Sequence, residues 1–209
     1  MSQIKLAIFD MDGTLLDSMP YWDHLGRYYL EARGIQVPET FESTIISMTL
    51  EEGGQYMKDE FHLEETVEEI IKGVLSRIEM AYQFEIPAKA GMKQLLMELK
   101  QAGTKMVVLT TSDKKLAKAA LKRTGLLSFF EEVHTASELK MGKRTPEIYY
   151  KVCEMYGAEP KETMVYEDAV FAIKAAVEAG CQVTAVYDEA MKDSWNEIST
   201  IANHQIYSS

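Results

Sequence analysis

The chain has 209 residues, of which 46% are hydrophobic and 26% are charged, with a formal net charge of −11. These proportions are typical of a folded globular protein and exclude a disordered one, and the length suits one domain or a domain with an insertion. The negative charge disfavours a nucleic-acid partner, because phosphate backbones are bound by concentrated lysine and arginine. No stretch approaches the roughly 18 consecutive apolar residues of a membrane-spanning helix, so no membrane association is predicted.

The two cysteines, Cys153 and Cys181, show no metal-binding or redox spacing. We expect both to be small apolar core residues, which suits a reducing compartment. The N-terminus lacks a basic segment followed by an apolar run, so no secretory signal is predicted. A cytoplasmic location is therefore expected.

The first predicted element is a strand at 4–9, with the sequence IKLAIF. Its unbroken apolar run is typical of a parallel strand that is covered on both faces. The run ends at a cluster that contains Asp10 and Asp12.

Residues 17–87 differ from the rest of the chain, because they carry helical patterns and no convincing strand. The predicted helices lie near 20–33, 50–61 and 66–84. Thr49 and Glu52 have the spacing of a capping box. We interpret this block as an all-helical cap inserted into an α/β core, which then comprises 1–16 and 88–209.

Strands and helices alternate regularly after residue 88. The predicted elements are a helix from Met92 that stops at Gly103, a strand at 106–110, a helix that stops at Gly125, a helix from the N-cap Thr145 to Gly157, a strand at 163–166, a helix at 169–179 and a strand at 182–187. Such alternation predicts a parallel sheet with helices on both faces.

Polar side chains follow the predicted strands at the edge where an open parallel sheet binds its ligands. They are Asp10, Asp12, Thr111, Ser112, Glu167 and Asp168, and Lys143 lies just before a predicted helix. Phosphoryl transfer requires a nucleophile, a proton donor for the leaving oxygen, and positive charge on the phosphoryl oxygens. Asp10 can attack and form an aspartyl-phosphate, while Asp12 can protonate the leaving group and then activate water.

The remaining residues of this set supply charge and ligands. Thr111 offers a hydroxyl and a backbone N–H to the phosphoryl oxygens, and Lys143 offers a permanent cation. Asp168 and Glu167 offer hard oxygen ligands for Mg²⁺, without which Asp10 and phosphate would repel each other. Each residue alone has a simpler explanation as a helix cap, a turn residue or a solvated lysine. Their combination in this order favours an active site.

The string FDMDGTLLDS at 9–18 resembles the first motif of the haloacid dehalogenase superfamily of phosphohydrolases. Thr111, Lys143 and the pair Glu167-Asp168 match the second, third and fourth motifs. The resemblance covers essentially the whole chain. It implies a Rossmann-like core, with a helical cap similar to that of the β-phosphoglucomutase subgroup.

The resemblance also implies roles for individual residues. Mg²⁺ would be bound by Asp10, by the backbone carbonyl of Asp12 and by Asp168. Lys143 would brace the nucleophile and the phosphate. An aspartate at the position of Asp12 is typical of phosphatases and phosphomutases, not of dehalogenases.

Two positions depart from the family pattern. Arg144 stands where many relatives have proline after the motif lysine, which adds a second cation near the substrate. Trp22 stands where β-phosphoglucomutases have a histidine, which favours a hydrolase; alternatively, Trp22 belongs to the apolar core of the cap. Ser18 and Trp22 join Thr111, Ser112 and Lys143 as candidate substrate-binding or phosphate-binding residues.

The sequence thus predicts a Mg²⁺-dependent phosphatase that acts on a small phosphorylated metabolite, such as a sugar phosphate. A sugar phosphomutase is the alternative. A more remote one is a phospho-accepting signalling domain of the receiver type, which also combines acidic residues, a threonine and a lysine on a parallel sheet. Receivers carry the phosphorylated aspartate on a later strand and have no helical insert after the first.

Overall fold

The computed structural model describes residues 4–45 and 48–207. In chain order the elements are β1 (Leu6–Phe9), α1 (Met19–Asp23), α2 (Leu25–Glu31), α3 (Phe41–Ile45), α4 (Leu50–Glu60), α5 (Val67–Phe84), α6 (Met92–Gln101), β2 (Lys105–Thr110), α7 (Lys114–Arg123), β3 (Val133–Thr135), α8 (Ala136–Leu139), α9 (Glu147–Tyr156), β4 (Thr163–Glu167), α10 (Val170–Glu178), β5 (Gln182–Val186), α11 (Trp195–Ile201) and β6 (His204–Ile206). Within these residues, none of the helices combines the length and apolar character that a membrane span requires.

The six strands of the described chain form one sheet in the order β3-β2-β1-β4-β5-β6, and each neighbouring pair is parallel. All four residues of the central strand β1 are buried, as expected for a strand whose apolar side chains point to two covered faces. The carboxyl ends of the strands share one edge, and the strand order reverses between β1 and β4. Ligands bind at such a reversal in open α/β sheets. The predicted parallel α/β fold is confirmed.

One face of the sheet packs against helices α9, α10 and α11. The side chains in this cluster include Ile8, Val107, Val165 and Val183 from the strands and Tyr149, Val152, Ile173 and Ile198 from the helices. Cys153 and Cys181 are free thiols buried in the same cluster, which confirms their prediction as core residues.

Helix α9 begins two residues later than the predicted cap, Thr145. Pro146 occupies the N-cap position with φ −68° and ψ −19°, which are already helical dihedral angles. Its carbonyl accepts the first helical hydrogen bonds, from the amides of Tyr149 and Tyr150. The prediction of Thr145 as N-cap was therefore wrong, because proline, with its fixed φ, starts the helical backbone itself.

The predicted helix at 20–33 is two helices, α1 and α2. The break falls at His24, whose φ of −109° and ψ of 11° are not helical. A ring nitrogen of His24 lies 2.9 Å from Glu42 Oε1, so the residue at the break contacts the start of α3.

The chain divides into two compact units, one comprising Met1–Met19 with Ile86–Ser209 and the other comprising Pro20–Glu85. The sheet belongs to the first unit, and the described elements of the second, α2 to α5 among them, are helices. Helix α4 begins at the predicted capping box of Thr49 and Glu52. That the helical unit is the cap of the core stays a prediction.

Candidate active site

Lys143 lies between two buried carboxylates at the carboxyl ends of β1 and β4. Its Nζ is 2.6 Å from Asp10 Oδ1 and 2.5 Å from Glu167 Oε2. Asp10 is 8% exposed, Lys143 5% and Glu167 2%. Burial by itself lowers the pKa of Lys143, but the two carboxylates outweigh burial and raise this pKa well above its usual value. Lys143 is therefore a fixed cation beside Asp10.

Asp12 has different partners. The hydroxyl of Ser18 donates to Oδ1 and that of Ser112 donates to Oδ2, each at 2.7 Å. The amide of Ser112 in turn donates to Thr110 Oγ1 at 3.0 Å, which fixes the end of β2. The carboxylate of Asp12 is thus held by neutral donors, whereas that of Asp10 is held by a cation.

The turn between these aspartates and the following segment depends on Gly13. Its φ of +82° lies in the left-handed region that side chains disfavour. A Cβ atom on Gly13 would overlap the Asp168 carboxylate, with Cγ at 2.8 Å. On its other side, Asp168 accepts a hydrogen bond from Thr14 Oγ1 at 3.2 Å. Glycine at this position lets the backbone pass directly beside Asp168.

Gly13→Ala should therefore lower both stability and activity. The left-handed backbone alone costs an alanine roughly 1–2 kcal/mol, and the overlap with Asp168 adds to that cost. Gly103→Ala is a matched control, because Gly103 has φ +78° but no heavy atom within 4 Å of the place that a Cβ would take. In urea unfolding, the Gly13 variant should lose more stability than the control. In phosphatase assays it should lose at least ~10-fold more activity, since a 1 Å shift of a catalytic group can lower the rate ~10²-fold. Equal losses in the two variants would contradict this role of Gly13.

Three buried carboxylates converge next to Lys143. Oxygens of Asp10, Glu167 and Asp168 lie within 4.8 Å of one another. Burial, reinforced by the charge of Asp10, raises the pKa of Glu167 to about 7 in spite of Lys143. Burial also raises the pKa of Asp168 well above its usual value, together with the charges of Glu167 and Asp10. These raised pKa values show that ionising the neighbouring acids together is unfavourable without a further cation. Hard oxygen donors in this number fit a divalent cation such as Mg²⁺, which would offset that repulsion.

The predicted site residues fall into two groups. One unit brings together the residues at the carboxyl edge of the sheet, which are Asp10, Asp12, Ser18, Ser112, Lys143, Glu167 and Asp168. Thr111 follows β2 at the same edge and is exposed. Trp22 belongs to the helical unit, where it lines an apolar pocket of about 390 Å³.

The two departures from the family pattern each have a partner in the structure. The guanidinium of Arg144 lies 4.2 Å from the ring centroid of Phe171, a cation–π contact that ties the loop of Lys143 to the start of α10. The indole of Trp22 donates to the hydroxyl of Tyr82 at 3.1 Å.

Two buried charged residues beside the site were not predicted. Lys89 and Asp188 are 6% and 5% exposed, and their charged groups are 2.6 Å apart. Asp188 follows β5, so the same inspection of strand ends that selected Asp10 and Asp168 could have found it. Nothing local distinguishes Lys89 from a loop lysine.

The sequence matches the model of the haloacid dehalogenase-like hydrolase family over residues 7–186. A phosphorylated carbohydrates phosphatase of Thermotoga maritima is 26% identical over 179 residues, which are 86% of this chain and 83% of the relative. Hexitol phosphatase A of Escherichia coli is 28% identical over 197 residues, which are 94% of this chain and 89% of the relative.

A solved structure has the same fold. A Thermotoga maritima protein, provisionally assigned as a β-phosphoglucomutase, superposes with a TM-score of 0.86 at 24% identity and covers 98% of this chain and 94% of its own. The family match extends over most of the chain, and the two similar sequences are phosphatases by name. The chain therefore belongs to the haloacid dehalogenase-like hydrolase family.

Proposed function

We propose that the chain hydrolyses the phosphomonoesters of small phosphorylated metabolites, such as sugar or sugar-alcohol phosphates, through an aspartyl-phosphate at Asp10. The observation that carries the proposal is the division of partners between Asp10 and Asp12. Asp10 is 2.6 Å from the cation of Lys143, whereas Asp12 is held by two hydroxyls at 2.7 Å. Two carboxylates in different environments can take the different roles of nucleophile and proton carrier.

In the first step, Asp10 would attack the phosphorus atom. A bond forms between its carboxylate oxygen and phosphorus, the ester bond to the leaving oxygen breaks, and Asp12 gives its proton to that oxygen. In the second step, Asp12 would take a proton from water, and the water oxygen would displace Asp10 from phosphorus. Inorganic phosphate leaves, and both aspartates return to their starting forms.

Lys143 would contribute to both steps by holding Asp10 in place and by offsetting negative charge on the phosphoryl group. Asp10, Asp168 and the backbone carbonyl of Asp12 would hold Mg²⁺, with Glu167 alongside. When bound, this cation neutralises charge on the phosphoryl oxygens and on Asp10. Glu167 also keeps Lys143 in place, because one of its oxygens is 2.5 Å from Nζ and the other accepts from the amide of Ala169 at 3.2 Å.

Activity should require a divalent cation. Removal of metal with a chelator should abolish phosphate release, and Mg²⁺ should restore it, because the buried acids otherwise repel the substrate phosphate. Asp168→Asn should weaken Mg²⁺ binding at least ~10-fold in calorimetry, since one charged oxygen ligand is lost from a site that uses few of them. Exposed Asp193, changed to asparagine, is the control and should bind Mg²⁺ like the original chain. Full activity after exhaustive chelation would contradict the role given to Asp168.

The substrate class is supported by the relatives, of which one is named a phosphorylated carbohydrates phosphatase and another a hexitol phosphatase. The choice of hydrolysis over mutase activity rests on Trp22. The mutases that the chain resembles have a histidine at this position, whereas the indole of Trp22 cannot take up a proton. Its N–H is also engaged with Tyr82.

A phosphate-release assay with a panel of hexose and hexitol phosphates tests the proposal. With Mg²⁺ present, we expect free phosphate from at least one of them in stoichiometric yield with the dephosphorylated product. With β-glucose 1-phosphate and a trace of the bisphosphate, we expect free phosphate and little glucose 6-phosphate. Rapid formation of glucose 6-phosphate without phosphate release would support the mutase instead.

A further inference from the structure

A second buried ion pair touches the turn that follows Asp12. Lys89 Nζ lies 2.6 Å from Asp188 Oδ2 and also donates to the carbonyl of Gly13 at 2.5 Å. Lysine and aspartate are rarely buried to this extent, because each charged group loses its hydration. Replacing a buried ion pair by apolar residues of similar volume is often neutral or stabilising in proteins. Stabilisation of the fold alone therefore does not explain the Lys89–Asp188 pair. Its contact with the Gly13 carbonyl points to a role at the turn after Asp12.

Lys89 contacts this turn at two points. Its backbone N–H donates to the carbonyl of Leu15 at 2.9 Å, while its side chain reaches the carbonyl of Gly13. The turn itself is closed by the amide of Gly13, which donates to the carbonyl of Leu16 at 3.0 Å. Lys89 thus sets the direction of the Gly13 carbonyl, and with it the Gly13–Thr14 peptide, from outside the turn. Only the Cα atom of Gly13 separates this peptide from the Asp12–Gly13 peptide, whose N–H closes the turn.

Asp188 fixes the direction from which Lys89 approaches. Its second oxygen, Oδ1, accepts from the amide of Ala190 at 3.0 Å, so that the carboxylate has one orientation at the end of β5. The ammonium group is then held between Asp188 and the Gly13 carbonyl. The flexible four-carbon side chain of Lys89 is therefore held in one conformation between its own backbone and the Gly13 carbonyl.

We infer that Lys89 is a positioning residue for proton transfer by Asp12, acting through the Gly13 carbonyl. This inference rests on the proposed function, in which Asp12 protonates the leaving oxygen. A general acid must stay within hydrogen-bond distance of the oxygen that it protonates, and a shift of 1 Å can cost ~10²-fold in rate. The Gly13–Thr14 peptide that Lys89 contacts is one Cα atom away from the peptide that joins Asp12 to Gly13, so a rotation of the first peptide shifts the second and moves the Asp12 carboxylate.

A misplaced general acid affects substrates unequally. The alkoxide that leaves an alkyl phosphate needs a proton as the ester bond breaks, whereas p-nitrophenolate is stable enough to leave with little help. Loss of Lys89 should therefore lower kcat/KM for an alkyl phosphate more than for p-nitrophenyl phosphate. A purely structural role of the ion pair would lower both values by the same factor.

The test compares three forms of the full chain with Mg²⁺, with glycerol 2-phosphate and p-nitrophenyl phosphate as substrates. Lys89→Met combined with Asp188→Asn removes the donor to Gly13 and both charges together, which avoids an unpaired buried charge. Asp188→Asn alone keeps the Lys89 donor to Gly13, but the single amide oxygen of asparagine can serve either Ala190 or Lys89, so this variant loosens Lys89 without removing it. The ratio of the two kcat/KM values is the readout, because it does not depend on the fraction of enzyme that is folded.

In the double variant we expect the ratio of aryl to alkyl kcat/KM to rise at least ~10-fold, since general acid catalysis contributes ~10²–10⁴-fold. In Asp188→Asn, where Lys89 remains as a donor, the ratio should rise less than in the double variant. An unchanged ratio in the double variant would overturn the inference, and so would an equal rise in both variants. A separate variant tests the proposed function itself. If Asp10→Asn kept its activity, the proposed function would be wrong, whatever the ratio for the Lys89 variant.

Discussion

Replacing Asp10 by asparagine is expected to lower kcat for phosphomonoester hydrolysis by at least ~10⁴-fold, as for other enzymes that lose a nucleophile. An amide oxygen is a far weaker nucleophile than a carboxylate and would not form the same phosphoryl intermediate. The fold should survive, because asparagine has the same shape and Lys143 keeps its contact with Glu167 at 2.5 Å. Steady-state phosphate release and circular dichroism measure the two effects.

The matched control for this variant is Asp193→Asn, which changes an exposed carboxylate of the same unit. It should keep the original kcat. A hydrolysis rate near the original in Asp10→Asn would remove the basis for a covalent intermediate, whatever the metal dependence.

The second large effect is expected for Lys143→Met. Removal of the Lys143 ammonium leaves the carboxylates of Asp10 and Glu167 buried without their cation. Breaking a buried ion pair from one side lowers the free energy of unfolding by about 3–5 kcal/mol. The loss of its charge next to the phosphoryl group should also lower kcat by about 10²–10³-fold. Urea unfolding and steady-state kinetics at saturating Mg²⁺ separate the two losses.

Lys151→Met provides the comparison for this variant. Lys151 pairs with Glu154 on the exposed side of α9, with a side chain that is 45% exposed, and such pairs contribute little. Its stability and kcat should stay close to the original values. If Lys143→Met behaved in the same way, the site would not depend on the buried cation.

The sequence predicted the central strands and the residues at their ends because these depend on local patterns. An unbroken apolar run such as that of β1 indicates a strand covered on both faces, and parallel strands bring their carboxyl ends to one edge. Asp10, Glu167 and Asp168 therefore had to converge, and their oxygens do lie within 4.8 Å of one another. Which partner each carboxylate binds depends on side-chain geometry, which a one-dimensional pattern does not contain.

The elements that were missed have weak local patterns. Strands β3 and β6 have three residues each, too few for an apolar periodicity to be recognised. Lys89 was missed for another reason. Its partner Asp188 is 99 residues away along the chain, and only the folded sheet brings them together.

The most direct test of the proposed chemistry is to identify the atom that receives the phosphoryl group. The Asp12→Asn variant should accumulate the intermediate from p-nitrophenyl phosphate, because this leaving group needs little protonation while hydrolysis of the intermediate needs the base. After rapid acid quench and proteolysis, mass spectrometry should find one phosphoryl group on the peptide that contains Asp10. A phosphoryl group on a different peptide, or p-nitrophenolate release with no phosphorylated peptide, would contradict the central claim.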